Sequence, residues 1–121
     1  MMRTERVEAA LALIATVDAA SLSLKALIDR IELVSTSPQE TRQILDTATR
    51  RGLIDRDGAQ IAVRDRSAAP AFEPTVVRRV GTYRCRRCGR RLTTGHFIAV
   101  GAAEVGPFGA TCVDRVLSGR P

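Results

Sequence analysis

Ser37-Pro38-Gln39-Glu40-Thr41-Arg42-Gln43-Ile44-Leu45-Asp46-Thr47-Ala48-Thr49-Arg50-Arg51-Gly52-Leu53-Ile54-Asp55-Arg56 is the stretch on which the fold turns. Its opening reads as a helix start. Ser37 can cap, Pro38 suits the first helical position, and Glu40 falls three residues after the cap, as a capping box requires. Gly52 is where such a helix stops. Thr41, Ile44, Leu45 and Ala48 recur at i, i+3, i+4 and i+7, which makes one core-facing stripe. The other face carries Gln39, Arg42, Gln43, Asp46, Thr49 and Arg50, mostly groups that can reach phosphates or base edges.

Downstream, Asp57-Gly58 is a two-residue hairpin signal. Leu53 and Ile54 supply one short strand, and Ile61 and Val63 alternate on the other. Upstream, the spacing predicts a first helix over residues 4–20, with Val7, Ala10, Leu11, Ile14 and Val17 as its stripe. Ser21 and Ser23 punctuate. A second helix runs from Leu24 to about Val34, and Ser35-Thr36 turns into Ser37. Helix, short turn, helix, hairpin is the order of a winged helix-turn-helix. With its Arg51-Gly52-Leu53-Ile54-x-Arg56 exit, the stretch resembles the recognition helix and wing of MarR-type regulators, over residues 5–64. The resemblance implies that some of Thr36, Ser37, Gln39, Arg42, Gln43 and Thr47 face the major groove and that Arg50 is a further DNA-binding residue. It also implies that Arg56 approaches the minor groove or backbone.

The chain has 121 residues, enough for one modest domain or two very small ones. Phe72, Tyr83, Phe97 and Phe108 are its aromatic residues, too few for an RNA module that stacks several bases on rings. No apolar run approaches a membrane span, and the N-terminus lacks the pattern of a secretory signal, so a cytoplasmic location is expected. The net charge of +6 is uneven. Residues 1–66 hold ten basic and ten acidic side chains, while residues 67–121 hold nine arginines and three acids.

Pro70 and Pro74 amid small residues suggest a linker over residues 67–82, although Val76, Val77 and Val80 could instead form a strand. A second module then begins at Tyr83-Arg84-Cys85-Arg86-Arg87-Cys88-Gly89-Arg90-Arg91-Leu92. Cys-x-x-Cys-Gly has the spacing of a zinc knuckle, in which two thiolates hold one tetrahedral ion. Cys112 follows Gly106-Pro107-Phe108-Gly109-Ala110-Thr111 and opens a short final helix, as in the second half of a treble clef. The expected site is structural Zn2+ held by Cys85, Cys88, His96 and Cys112. Asp114, Glu104 or a water are the alternatives to His96. A redox dithiol would need a strand-helix unit for which the chain leaves no room. The pattern Cys-x-x-Cys-Gly-Arg-x-Leu … Gly-Pro … Cys resembles small domains of unassigned function in actinobacterial and phage proteins, over residues 83–117. That resemblance implies a zinc-binding fold and no activity.

Arg78, Arg79, Arg84, Arg86, Arg87, Arg90 and Arg91 crowd fourteen residues with no acid between them. Like charges at this density repel unless an anion is met, and nucleic-acid backbone is the obvious polyanion. The fold class expected is therefore α+β: a winged helix-turn-helix over residues 1–66, a linker, and a zinc-ribbon or treble-clef-like module over residues 83–121. The function expected is that of a small transcriptional regulator on double-stranded DNA, as a homodimer where half-sites are paired. The neutral N-terminal half leaves an alternative, a protein-interaction adaptor or inhibitor docking on a machine such as RNA polymerase. No nucleophile-base pair, paired-acid motif or phosphate loop points to an enzyme.

Overall fold

The computed structural model describes residues 3–71, 73 and 75–119. Helix α1 spans Arg3–Ala15, β1 Ser21–Ser23, α2 Leu24–Ile31, α3 Pro38–Arg50, β2 Ile54–Asp57 and β3 Gln60–Val63. After a 3-10 turn at Arg66–Ala68 come β4 Thr75–Arg84, β5 Arg91–Val100, β6 Ala103–Phe108 and α4 Ala110–Ser118. The architecture is mixed α+β with two small antiparallel sheets, ordered β1-β3-β2 and β4-β5-β6.

Helix α3 begins as its sequence dictates. Ser37 caps it, accepting the Glu40 N–H at 3.3 Å, and Pro38 occupies the first turn. The reciprocal half of the capping box is rerouted. The Ser37 N–H goes to Ser35 Oγ at 3.2 Å, and Ser35 Oγ donates to Glu40 Oε2 at 2.5 Å. The other carboxylate oxygen of Glu40 takes Arg6 from α1 at 2.6 Å. Glu40 is thereby buried and fully partnered, and it ties the start of α3 to α1. Ile44 and Ala48 of the stripe are buried, and Thr41 and Leu45 are half-buried.

The hairpin is shifted by one residue from expectation. Asp57 pairs with Gln60, so the two loop residues are Gly58 and Ala59. Gly58 has φ +61° while Ala59 does not have positive φ, the pattern of a II′ turn with glycine first. Ile61 and Val63 alternate inward as expected. The three-residue strand β1 adds to β3, Ser21 opposite Ala62.

Helix α1 ends at Ala15, well before residue 20. Its last carbonyls are taken by two arginines. Arg30 of α2 donates to Leu13 O at 2.7 Å and to Thr16 Oγ1 at 2.7 Å. Arg66 reaches Ala15 O, Val17 O and Ala19 O at 2.7–2.9 Å. Of these acceptors, Leu13 O and Ala15 O lie in the last turn of α1, where carbonyls run out of i+4 donors, and the others lie beyond it.

Residues 75–82, expected within a linker, belong to β4, which pairs with β5 from Thr75 to Arg84. The two halves also share one set of buried apolar side chains, from Val7 in α1 through Ile61 to Phe108 and Val116. Arg30 donates to Val116 O at 2.9 Å, and Asp18 N–H to Gly119 O at 3.3 Å. Gly119 follows α4 with φ +71°, and a Cβ there would lie 2.1 Å from Thr16 O. Only glycine allows α4 to dock so closely on the end of α1. Among the described residues, no helix is long and apolar enough to cross a membrane.

Candidate metal centre and basic surface

The turn between β4 and β5 carries Cys85 and Cys88, and the first turn of α4 carries Cys112. Cys85 N–H donates to Arg90 O and Gly89 N–H to Cys85 O, both at 2.8 Å, which closes the knuckle. Arg86 N–H bonds Pro107 O at 2.8 Å, and so clamps the knuckle onto the end of β6, next to α4. The three sulfurs lie within 4.8 Å of one another, Cys85 and Cys112 buried and Cys88 exposed. Thiolates around one zinc, with bonds of ~2.3 Å, lie roughly 4 Å apart. The three cysteines can thus hold one metal ion, and all are free thiols.

The electrostatics suit a cation. Burial opposes ionisation of Cys85, but the backbone N–H groups of Cys88, Gly109 and Arg87 turn toward its sulfur and bring the thiol down to about 7. Gly109 N–H lies 3.4 Å from that sulfur. Burial pushes the Cys112 thiol up, against the Arg87 guanidinium 3.6 Å away. A metal ion would offset that burial cost, because only the thiolate ligates.

His96 does not join the cluster. It lies in β5 with Nδ1 3.3 Å from Phe108 O, and no imidazole stands with the three sulfurs. Nor do the alternatives. Glu104 holds Arg79 in a salt bridge, which depresses its pKa, and Asp114 sits exposed on α4. Spacing alone favoured His96, since it is the sole histidine between the cysteines. The strand register opposite Phe108 is what keeps it on a backbone carbonyl.

The arginines divide. Arg78, Arg84, Arg86, Arg90 and Arg91 are exposed and meet no carboxylate among the described residues. Arg84 donates to the Gly89 carbonyl at 3.3 Å. Arg79 is engaged within the chain, bound to Glu104 and stacked 4.8 Å from the Phe97 ring centre. Arg87 is turned toward Cys112.

On α3, Gln39, Arg42, Gln43, Asp46 and Arg50 are exposed. Thr47 is not. It is buried and donates to Gln43 O at 2.7 Å, so it is withdrawn from that face, and Ser37 is occupied as the cap. Arg56, in the hairpin, folds back on Gly58 O at 3.2 Å. A cleft of about 700 Å³ lies where the halves meet. Thr36, just ahead of α3, borders it together with Arg86 and Arg87 of the knuckle and Arg30 of α2. The sequence held no signal for this meeting, because it joins residues fifty positions apart.

Residues 6–120 match a family of unknown function (DUF5830), and the chain belongs to that family. The match runs through both sheets, in keeping with their shared core. No curated protein and no solved structure matches the chain.

Proposed function

We propose that this DUF5830 protein binds duplex DNA as a small regulator, with residues 5–64 acting as a winged helix-turn-helix. In this reading α3 enters the major groove and presents Gln39, Arg42 and Gln43 to base edges. The hairpin β2–β3 is the wing. The cysteine module is a structural metal centre, suited to Zn2+, that holds the arginine-bearing knuckle rigid against phosphates. The observation that carries the reading is the cleft. Arg86 and Arg87 border it together with Thr36, so the basic knuckle and the turn that leads into α3 open on one cleft, which Asp29 of α2 and Glu32, its C-cap, also line. One continuous surface can then meet both a groove and the adjoining backbone. The chemistry is recognition, not catalysis.

The test is Arg42→Ala measured against a selected duplex and against random duplex. Affinity for the selected sequence falls by about 1–3 kcal/mol, while random-sequence binding barely changes. Equal loss on both would remove Arg42 from base readout.

A second reading, docking on another protein, draws on β4. It is the edge of its sheet, and its Val80 is 88% exposed. An open edge with an outward valine is a surface that a partner strand could cover. Capture of a protein partner that depends on Val80, together with no DNA binding, favours this reading over the first.

A further inference from the structure

We propose that the centre formed by Cys85, Cys88 and Cys112 supplies three of a metal ion's four donors and takes an exogenous thiolate as the fourth. This rests on the metal reading above and deepens it. Four-coordinate tetrahedral binding is the rule for structural zinc, with every position filled by protein, whereas three protein donors leave one position for an outside ligand. Among the described residues, three sulfurs are all that come together. Each other candidate donor is held elsewhere or stands apart: His96 on the Phe108 carbonyl, Glu104 on Arg79, Asp114 exposed on α4.

The place where a fourth protein ligand would stand can be identified. Gly109 precedes Cys112 by three residues, the same spacing that separates Cys85 from Cys88. Its N–H lies 3.4 Å from Cys85 Sγ, so this residue already borders the cluster. It caps α4 with φ −72° and ψ 164°, a conformation open to any residue. A Cβ there would meet Leu92 Cδ2 at 3.3 Å, the flexible end of a side chain, and no other atom as near. Neither strain nor backbone crowding therefore demands glycine at 109. The backbone is poised for a second Cys-x-x-Cys pair, and this chain offers a hydrogen there instead of a thiol.

The surroundings select the outside ligand. Cys88 is exposed, which gives solvent access to the centre. Arg87 lies against Cys112, and Arg84, Arg86 and Arg90 ride the same turn, so the local field draws anions. A centre already built of three thiolates prefers a soft donor. A small thiol meets both demands. In the exchange, the thiol gives its proton to solvent, its sulfur bonds to the metal, and a bound water leaves. No electron is transferred.

The experiment uses the full chain loaded with Co2+, whose sulfur-to-metal charge-transfer absorption counts bound sulfurs, and titrates it with 2-mercaptoethanol. The wild type is expected to bind one Co2+ and to gain absorption saturably, in the ratio of four sulfurs to three. Gly109→Cys should show the four-sulfur spectrum without added thiol and should not respond to it. Gly109→Ala, with the same Cβ and no sulfur, should respond like the wild type. Should Gly109→Cys misfold, the wild-type titration decides alone. One bound Co2+ with no response in the wild type overturns the proposal while the metal reading stands. No bound Co2+ overturns the metal reading, and the proposal with it.

Discussion

Replacing Arg30 by methionine removes a side chain that ties α2 to the C-terminal ends of α1 and α4 together. Its guanidinium donates to Leu13 O, Thr16 Oγ1 and Val116 O, at 2.7, 2.7 and 2.9 Å. Each hydrogen bond from a charged group is worth about 1.5–3 kcal/mol, so three contribute roughly 5–9 kcal/mol. Burial opposes this. It brings the Arg30 pKa well below its ordinary value, to about 10. At about 1.4 kcal/mol per unit, keeping the charge there costs on the order of 3 kcal/mol. Methionine retains much of the apolar stem, so little cavity opens. The expected loss is about 2–6 kcal/mol, which for a chain of this size lowers Tm by roughly 8–24 °C. Urea and thermal unfolding followed by circular dichroism, at saturating metal, read it directly. Arg30→Lys, which keeps a charge but not the fork, should fall between. An Arg30→Met protein within about 0.5 kcal/mol of wild type would refute the claim that this guanidinium joins the halves.

Glu40 makes a pH-dependent link. Hydrogen bonds from Ser35 and then Arg6 outweigh the opposing effect of burial and hold its pKa below the ordinary value of 4.5. A depressed carboxyl contributes its stability above the unfolded-state value and loses it as pH falls through the folded-state value. Glu40→Gln should therefore be less stable than wild type at pH 7 by about 1.5–3 kcal/mol, the two converging in acid; an unchanged gap at pH 3 would count against the link. Cys85→Ser should lose the bound metal, measured as metal per chain. It should also lose hydrogen-exchange protection at residues 85–92 and 107–113, while α1 to α3 keep theirs. Unchanged metal content would remove Cys85 from the site.

Local chemistry made α3, its cap and its inward stripe readable from sequence, because Ser37, Pro38 and the i, i+3, i+4, i+7 pattern act within one helix. The Cys-x-x-Cys knuckle and the place of Cys112 were readable for the same reason: spacing is local geometry. What escaped was set by distant partners. Helix α1 stops at Ala15 because Arg30 and Arg66 arrive from elsewhere to take its carbonyls, and nothing between Thr16 and Ala20 announces this. Strand β1 is three residues of Ser-Leu-Ser, too short for an alternation. Strand β4 is an edge strand with arginines and valines on exposed positions, so its pattern does not separate an inner face from an outer one. Glu40 fits a capping box in sequence, yet its carboxylate is drawn to Arg6, thirty-four residues away. His96 was singled out by being alone of its kind, and composition carries no information about strand register.

Binding of the metal-loaded protein to random-sequence duplex DNA across a salt series tests the central claim most directly. If six of the exposed arginines meet phosphates, the logarithm of affinity falls against the logarithm of salt concentration with a slope near −5. Submicromolar binding at low salt with that steep decline is the result predicted, and substituting Arg86 and Arg90 by alanine should flatten the slope by about 2. No binding at low salt, or binding indifferent to salt, would contradict it.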